Sequence, residues 1–437
     1  MTENRSSATA YRVLLFLATV WGLTQILFLV DANFSGAKQF QESDYVMTFY
    51  VAGHLAAAGK ESQLYPARDA TTFIDASFDK AAHALLDSLP AKTTAIYMYS
   101  PLVAWFFAPL SHLSPSWSLL VWQLLSLLAL ILSSKFLAQS MQINFLDSLF
   151  LSSLFGPIFI TLWSGQLGLV FGLLPLSVGY VLFLRARPLA AGLVWSLLLL
   201  KPQYFPAVAF VALVVASCGN FRPALGMALG TLAIVGANLW LFSPALVHQW
   251  LASHRLSDTL FTHAEYGIPK HLITSLPADI LLLLPAEARS AMKWPTYGTA
   301  MALWVIGLYY GWKINRGQWD QRAKISLTLA VGCILSSVVL PHLLYYDLCV
   351  LIPAGFLLAT TNDVVPKAIA AKTITRLAWI SISVYLPIFL LFKPHIGMAL
   401  ILEIILLISL ICLLVQISAP LKDQTRYNFS WLQTPRG

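Results

Sequence analysis

Apolar runs close to bilayer length recur along nearly the whole chain and decide most of what it can fold into. A helix needs about 20 apolar residues to cross the hydrocarbon core. Twelve runs approach that length: 11–30, 117–137, 144–163, 166–185, 189–201, 204–218, 224–243, 296–314, 325–341, 343–361, 374–391 and 396–418. Only 11% of residues are charged and 58% are hydrophobic, against the roughly 25% charge of a soluble domain. Inside lipid, each backbone N–H and C=O must find its partner within the segment, so such runs are helices. The expectation is an all-α polytopic membrane protein, one integral membrane domain over 1–437 with about twelve transmembrane helices.

Charge gives that bundle a direction. Residues Met1–Ala10 are polar and lead into 11–30, which is longer than a signal-peptide core and is read as a retained signal anchor. With both termini cytoplasmic, 16 of the 27 Lys and Arg fall on the inner side, as the positive-inside rule requires. The setting is a cell membrane, such as a bacterial inner membrane. Tyr99–Leu113 is apolar but interrupted by Pro101 and Pro109; it is read as a re-entrant or interfacial helix, because a thirteenth crossing would shift the positive loops out of register. Two large outer loops result, 31–116 with interfacial helices and 244–295. The net charge of +8 is scattered between spans, so it reports topology and membrane lipids as neighbours, with no nucleic acid. Four cysteines lie in or beside apolar runs without CxxC spacing, which gives neither a disulfide framework nor a zinc site.

Chemistry has one obvious place to sit. Asp31 to Tyr97 carries 8 of the chain's 19 acids. Within it, Asp44 precedes the aromatics Tyr45, Phe49 and Tyr50. A carboxylate at a half-buried interface has its pKa raised and suits a general base; the competing reading of Ser43-Asp44 is a helix N-cap. His342 and Asp347, in Pro341-His342-Leu343-Leu344-Tyr345-Tyr346-Asp347, fall on the same outer side. Ionisable groups there are functional candidates, or else a structural pair capping two helix ends. Lys201 either snorkels to the interface or holds a phosphate. Gln166 ends a helix on this face, as ligand or as glue between helices. Tyr50, Tyr99 and Tyr346 flank these positions as substrate-binding candidates. Glu403 lies deep in the last run without a nameable partner, and His54, His254, Arg255, His263, Lys270 and His271 are scattered loop residues. No Gly-rich phosphate loop, metal-ligand cluster or nucleophile motif is present, so no metal and no cofactor are expected.

Several of these elements occur together in one family. Asp44-Tyr45, Tyr50-Val51-Ala52-Gly53, Leu64-Tyr65, Tyr99-Ser100-Pro101-Leu102 and Phe107-Ala108-Pro109-Leu110 resemble the first outer loop of glycosyltransferase family 87. Gly165-Gln166, Ala191-Gly192, Lys201-Pro202, His342 and Tyr346-Asp347 follow in the family's order. The chain departs at Ser100-Pro101, where the family usually has two prolines, and at Gly168, near which it commonly has an Asn. The resemblance implies a GT-C membrane fold and a polyprenyl-phosphate sugar donor, with mannose as the family's example. It also implies Asp44 as base, His342 as an active-site residue, and a glycan or glycolipid acceptor. The rival reading is a transporter or flippase of lipid-linked sugars, which favours broken helices at mid-membrane and symmetry between halves.

Overall fold

The structure is a computed structural model that describes residues 16, 19–20, 22–31, 33–34, 43–87, 89–257, 260, 272–360, 369–392 and 398–418. His263, Lys270 and His271 lie outside the described residues. Among the described residues the architecture is helical, with one isolated antiparallel bridge between Ile273 and Leu344.

The first apolar helix, α1 (Gly22–Asp31), leads to a cap built from four pieces. A π-helical turn (Tyr45–Tyr50) runs directly into α2 (Val51–Ala57), followed by α3 (Ser77–Leu85) and α4 (Pro101–Phe107). At seven residues, α4 is roughly 10 Å long, far too short to cross a bilayer, and its start is fixed by the Ser100 cap with Pro101 in the first turn. The cap has its own core: Tyr45, Phe49, Val51, Leu55, Leu64, Phe78, Tyr97 and Phe107 are buried together against Trp122 and Leu119. The apolar side of α2 is therefore covered by protein rather than laid on lipid. Asp79 ties the cap's connecting loops, accepting from the backbone N–H of Ala95 at 2.8 Å and of Asp75 at 2.9 Å.

The long α5 (Pro115–Met141) is followed by α6 (Phe145–Ser153) and α7 (Gly156–Ser164), bent from each other by 70°. The sequence predicts a single span over 144–163, and the bent pair still passes as one broken span. The bend follows from Gly156-Pro157, because Pro157 supplies no N–H and a Cβ at Gly156 would collide with the Tyr345 hydroxyl and the Ser383 backbone. A second π turn (Gly168–Leu173) opens α8 (Leu174–Leu184). Then come α9 (Pro188–Trp195), α10 (Phe205–Ser217) and α11 (Arg222–Leu241). Gly192 and Gly226 face each other where α9 crosses α11, and a Cβ on either would meet the other helix's backbone.

The remaining helices are α12 (Pro244–Ser253), α13 (Leu276–Leu283), α14 (Ala286–Arg316), α15 (Gln321–Val339), α16 (Leu351–Thr360), α17 (Ile369–Phe392) and α18 (Met398–Ser418). Helix α14 takes over residues 286–295, assigned from sequence to the second loop. Among the described residues, α5, α11 and α15 are long and apolar enough to cross a membrane, with the bent α6–α7 pair a fourth. Six apolar helices are shorter. Two of these, Pro188–Leu200 and Pro202–Ser217, meet at Lys201, and the first is roughly 20 Å long against a hydrocarbon core of about 30 Å. On α11, Leu225, Leu229, Leu232, Val235 and Leu239 recur every three or four residues and are all exposed. Such a stripe is a liability in water and a solvated face in lipid; the apolar helices mark a membrane protein.

Candidate active site

Asp44 stands at the mouth of the first π turn with helical backbone angles, and its side chain makes no capping hydrogen bond. Ser43 does the capping, its hydroxyl accepting from the Val46 N–H at 3.3 Å. The carboxylate is thereby left for another partner: Gln166, 122 positions away, donates from Nε2 to Asp44 Oδ2 at 2.7 Å. Beneath it, Tyr45 packs edge-on against Phe107 and stacks over Trp122. The Tyr45 hydroxyl bonds that of Ser118 at 2.7 Å. Asp44 thus starts from a rigid aromatic floor.

Gln166 is placed by the end of α7. Gly165 closes that helix in the left-handed region, at φ +67°, and a Cβ there would lie 2.5 Å from Tyr45 Cβ. Its carbonyl accepts from Trp122 Nε1 at 2.8 Å. The turn that aims Gln166 and the residue after Asp44 therefore touch. Gly165→Ala combines left-handed strain with overpacking, and is expected to cost about 2–4 kcal/mol, read by thermal melting in detergent.

Lys201 sits at the corner between the 3₁₀ turn Ser196–Leu200, which ends the α9 segment, and the turn Pro202–Tyr204 before α10. Its Nζ is 2.9 Å from Asp347 Oδ1. It also donates to Gln166 Oε1 at 3.2 Å and to the Tyr99 hydroxyl at 3.3 Å. The Tyr346 ring lies 5.1 Å away. Lys201 is 0% exposed and Asp347 2%. An ammonium has three donors, and three acceptors meet it. Lys201 therefore does not snorkel, and in this arrangement it has no donor left for a phosphate. Asp347 spends its other oxygen on the Leu344 N–H at 3.1 Å. The expected capping role is real, but its charge partner is Lys201 rather than His342.

The structure thus joins Asp44, Gln166, Lys201 and Asp347 in one chain, flanked by Tyr99 and Tyr346. Burial raises the Asp44 pKa, while the Gln166 hydrogen bond and the Lys201 charge pull it back down and the Asp347 charge adds to the rise. Tyr50 is placed elsewhere, its hydroxyl donating to the Leu113 carbonyl at 3.1 Å. His342 lies in the loop leading to Asp347 and faces His254, whose pKa is lowered by burial and by His342. That loop is strapped by the second large loop, where the Thr274 N–H donates to the Leu343 carbonyl at 3.0 Å and the Ser275 hydroxyl to the Leu340 carbonyl. Ser100, where the family usually has proline, donates from its hydroxyl to Asn238 Oδ1 at 2.8 Å and so pins the cap to α11. At Gly168, where an Asn is common, a Cβ would lie 3.0 Å from the Tyr204 hydroxyl. Among the described residues no group of three or more His, Cys, Asp or Glu is placed to hold a metal ion.

A second acidic feature escaped the sequence reading. Asp279 on α13 and Glu403 on α18 lie close enough to act on each other's charge, and they are 0% and 1% exposed. Glu403 therefore has a partner in the second large loop. The available signal was an acid inside the apolar run Leu276–Leu284. Burial raises the Asp279 pKa, so the folded state holds protons that the unfolded chain releases. The resulting stability is full below the ordinary carboxylate range and falls as pH rises through the raised value. Glu403→Gln, whose amide can donate to ionised Asp279, is expected to flatten that decline in melts from pH 5 to 9. Glu403→Leu leaves Asp279 buried without a partner, at a cost of about 1–3 kcal/mol.

A family model, glycosyltransferase family 87, matches residues 97–341. That is more than half of the chain, and the protein belongs to this family of glycosyltransferases. No curated protein and no solved structure matches the chain. Tyr99, Gln166 and Lys201 fall inside the matched segment, whereas Asp44, His342 and Asp347 fall outside it. It is the hydrogen-bond chain that brings Asp44 and Asp347 to the matched residues.

Proposed function

We propose that the protein transfers a hexosyl group, mannosyl by the family's example, from a polyprenyl phosphate to an acceptor hydroxyl, with inversion and with Asp44 as the single base. The observation that carries this reading is that Asp44 is not used by its own helix. Its carboxylate is steered by Gln166 at 2.7 Å; among the described residues, Oδ1 accepts no hydrogen bond and is the atom left to take a proton. The acceptor's O–H proton passes to that oxygen as its O–C1 bond forms. The C1–O bond to phosphate breaks with its electron pair staying on the phosphate. A glycosidase needs a second carboxyl group to protonate its leaving alkoxide, but a phosphate leaves as a stable anion. Asp347 is not available as a second catalytic carboxylate, being held by Lys201 and the Leu344 N–H.

With the Lys201 donors occupied, His342 is the group we assign to the departing phosphate, whose developing charge a positioned cation or donor stabilises. The fold would be GT-C-like with about twelve crossings. Helices too short to span alone would end around the site, both termini would be cytoplasmic, and the cap would sit on the outer face of the cell membrane. The donor and a glycan or glycolipid acceptor are the substrates, and no metal or cofactor is assigned. Membranes containing the full chain, supplied in turn with radiolabelled mannosyl, glucosyl and arabinosyl polyprenyl phosphates, test the donor class. Label is expected to move from one of them to an acceptor, and no transfer from any would refute it.

A further inference from the structure

We propose that Gln166 is a positioning residue that holds Asp44 ionised and aimed, and that the Lys201–Asp347 pair acts by fixing which way round the Gln166 amide sits. The inference rests on Asp44 being the base. A glutamine amide has a donor end and an acceptor end, and rotation by half a turn exchanges them. Here the exchange is blocked. Lys201 is donor-only and approaches Oε1 at 3.2 Å; a flipped amide would put its NH₂ group against the ammonium. Nε2 must therefore face Asp44. Lys201 is in turn held at this spot by Asp347, whose other oxygen is fixed to the Leu344 N–H. The charge of Asp347 thus reaches the base as a direction imposed on one amide.

The consequence is specific. A hydrogen bond donated to a carboxylate favours its charged form, and burial of Asp44 opposes that form. Gln166 is the only hydrogen-bond donor to the Asp44 carboxylate among the described residues. The other groups acting on the site are Lys201, which favours the carboxylate, and Asp347, which disfavours it. Tyr99 and Tyr346 are neutral rings within range of the Asp44 charge.

The test is the pH profile of kcat/KM in membranes, using whichever of the three polyprenyl-phosphate sugars the wild type consumes. Gln166→Met removes the donor at similar volume. The acidic limb is expected to move up by about one to two pH units, as loss of a charge-assisted bond implies, with activity largely recovered at high pH. Gln166→Glu keeps the contact to Lys201 but sets an oxygen against Asp44, and should move the limb further in the same direction. It decides the matter if the Met variant does not fold. A uniform loss with the limb unmoved in a folded variant would overturn the inference. An Asp44→Asn control separates the two ideas. If it retains transfer, the base assignment falls; if it is inactive while the limb stays, only the role of Gln166 falls.

Discussion

Asp44→Asn is expected to abolish glycosyl transfer, by about 10³-fold or more, while the protein remains folded. The loss follows from removing the proton acceptor, since a positioned base contributes about 10²–10⁴-fold. Stability should hold because the carboxylate caps no helix and an asparagine can still accept from Gln166 through its carbonyl oxygen. The comparison is transfer per folded molecule, with monodispersity and melting temperature as the controls. Asp44→Ala should be equally inactive but less stable, since it strands the buried Gln166 donor. Activity in Asp44→Asn near the wild-type level would remove Asp44 from the mechanism.

The largest stability effect is expected at Lys201. Lys201→Met leaves the Asp347 carboxylate buried without its ion-pair partner, and breaking a buried pair on one side costs about 3–5 kcal/mol. Replacing both partners, as in Lys201→Met with Asp347→Leu, removes the stranded charge and should return much of that loss. Activity should not return with it, because the Gln166 amide is then free to turn. Melting temperatures of the two single variants and the double variant measure the coupling. If Lys201→Met melts like wild type, the pair does not hold these segments together.

Much of this site was legible residue by residue, but its wiring was not. Asp44, Gln166, Lys201 and Asp347 each stand out in sequence because a polar group beside apolar runs needs a reason to be there. Their order in the chain says nothing about who meets whom. Lys201, beside the apolar Leu197–Leu200, left both snorkelling and phosphate binding open in sequence; in the structure it follows a 3₁₀ turn and meets Asp347. Ser43-Asp44 offered two capping side chains, and composition cannot tell which one caps and which is spared. The run 144–163 reads as one span, and the 70° bend between α6 and α7 is signalled only by Gly156-Pro157, which a hydropathy window does not register. The Asp279–Glu403 pair lay hidden because Asp279 sits in a run whose apolar neighbours dominate any hydropathy window. What the sequence conveys well is periodicity and punctuation. What it conveys poorly is the meeting of side chains from helices that are distant along the chain.

The most direct measurement is the anomeric configuration of the transferred sugar, read by NMR on product made from a donor of known configuration. A single base acting on the acceptor, with Asp347 locked away from the reaction, requires the configuration to be inverted. Retention would require a double displacement or attack from the face the phosphate leaves, and would contradict the assignment of Asp44 as a base acting on an acceptor that attacks opposite the phosphate.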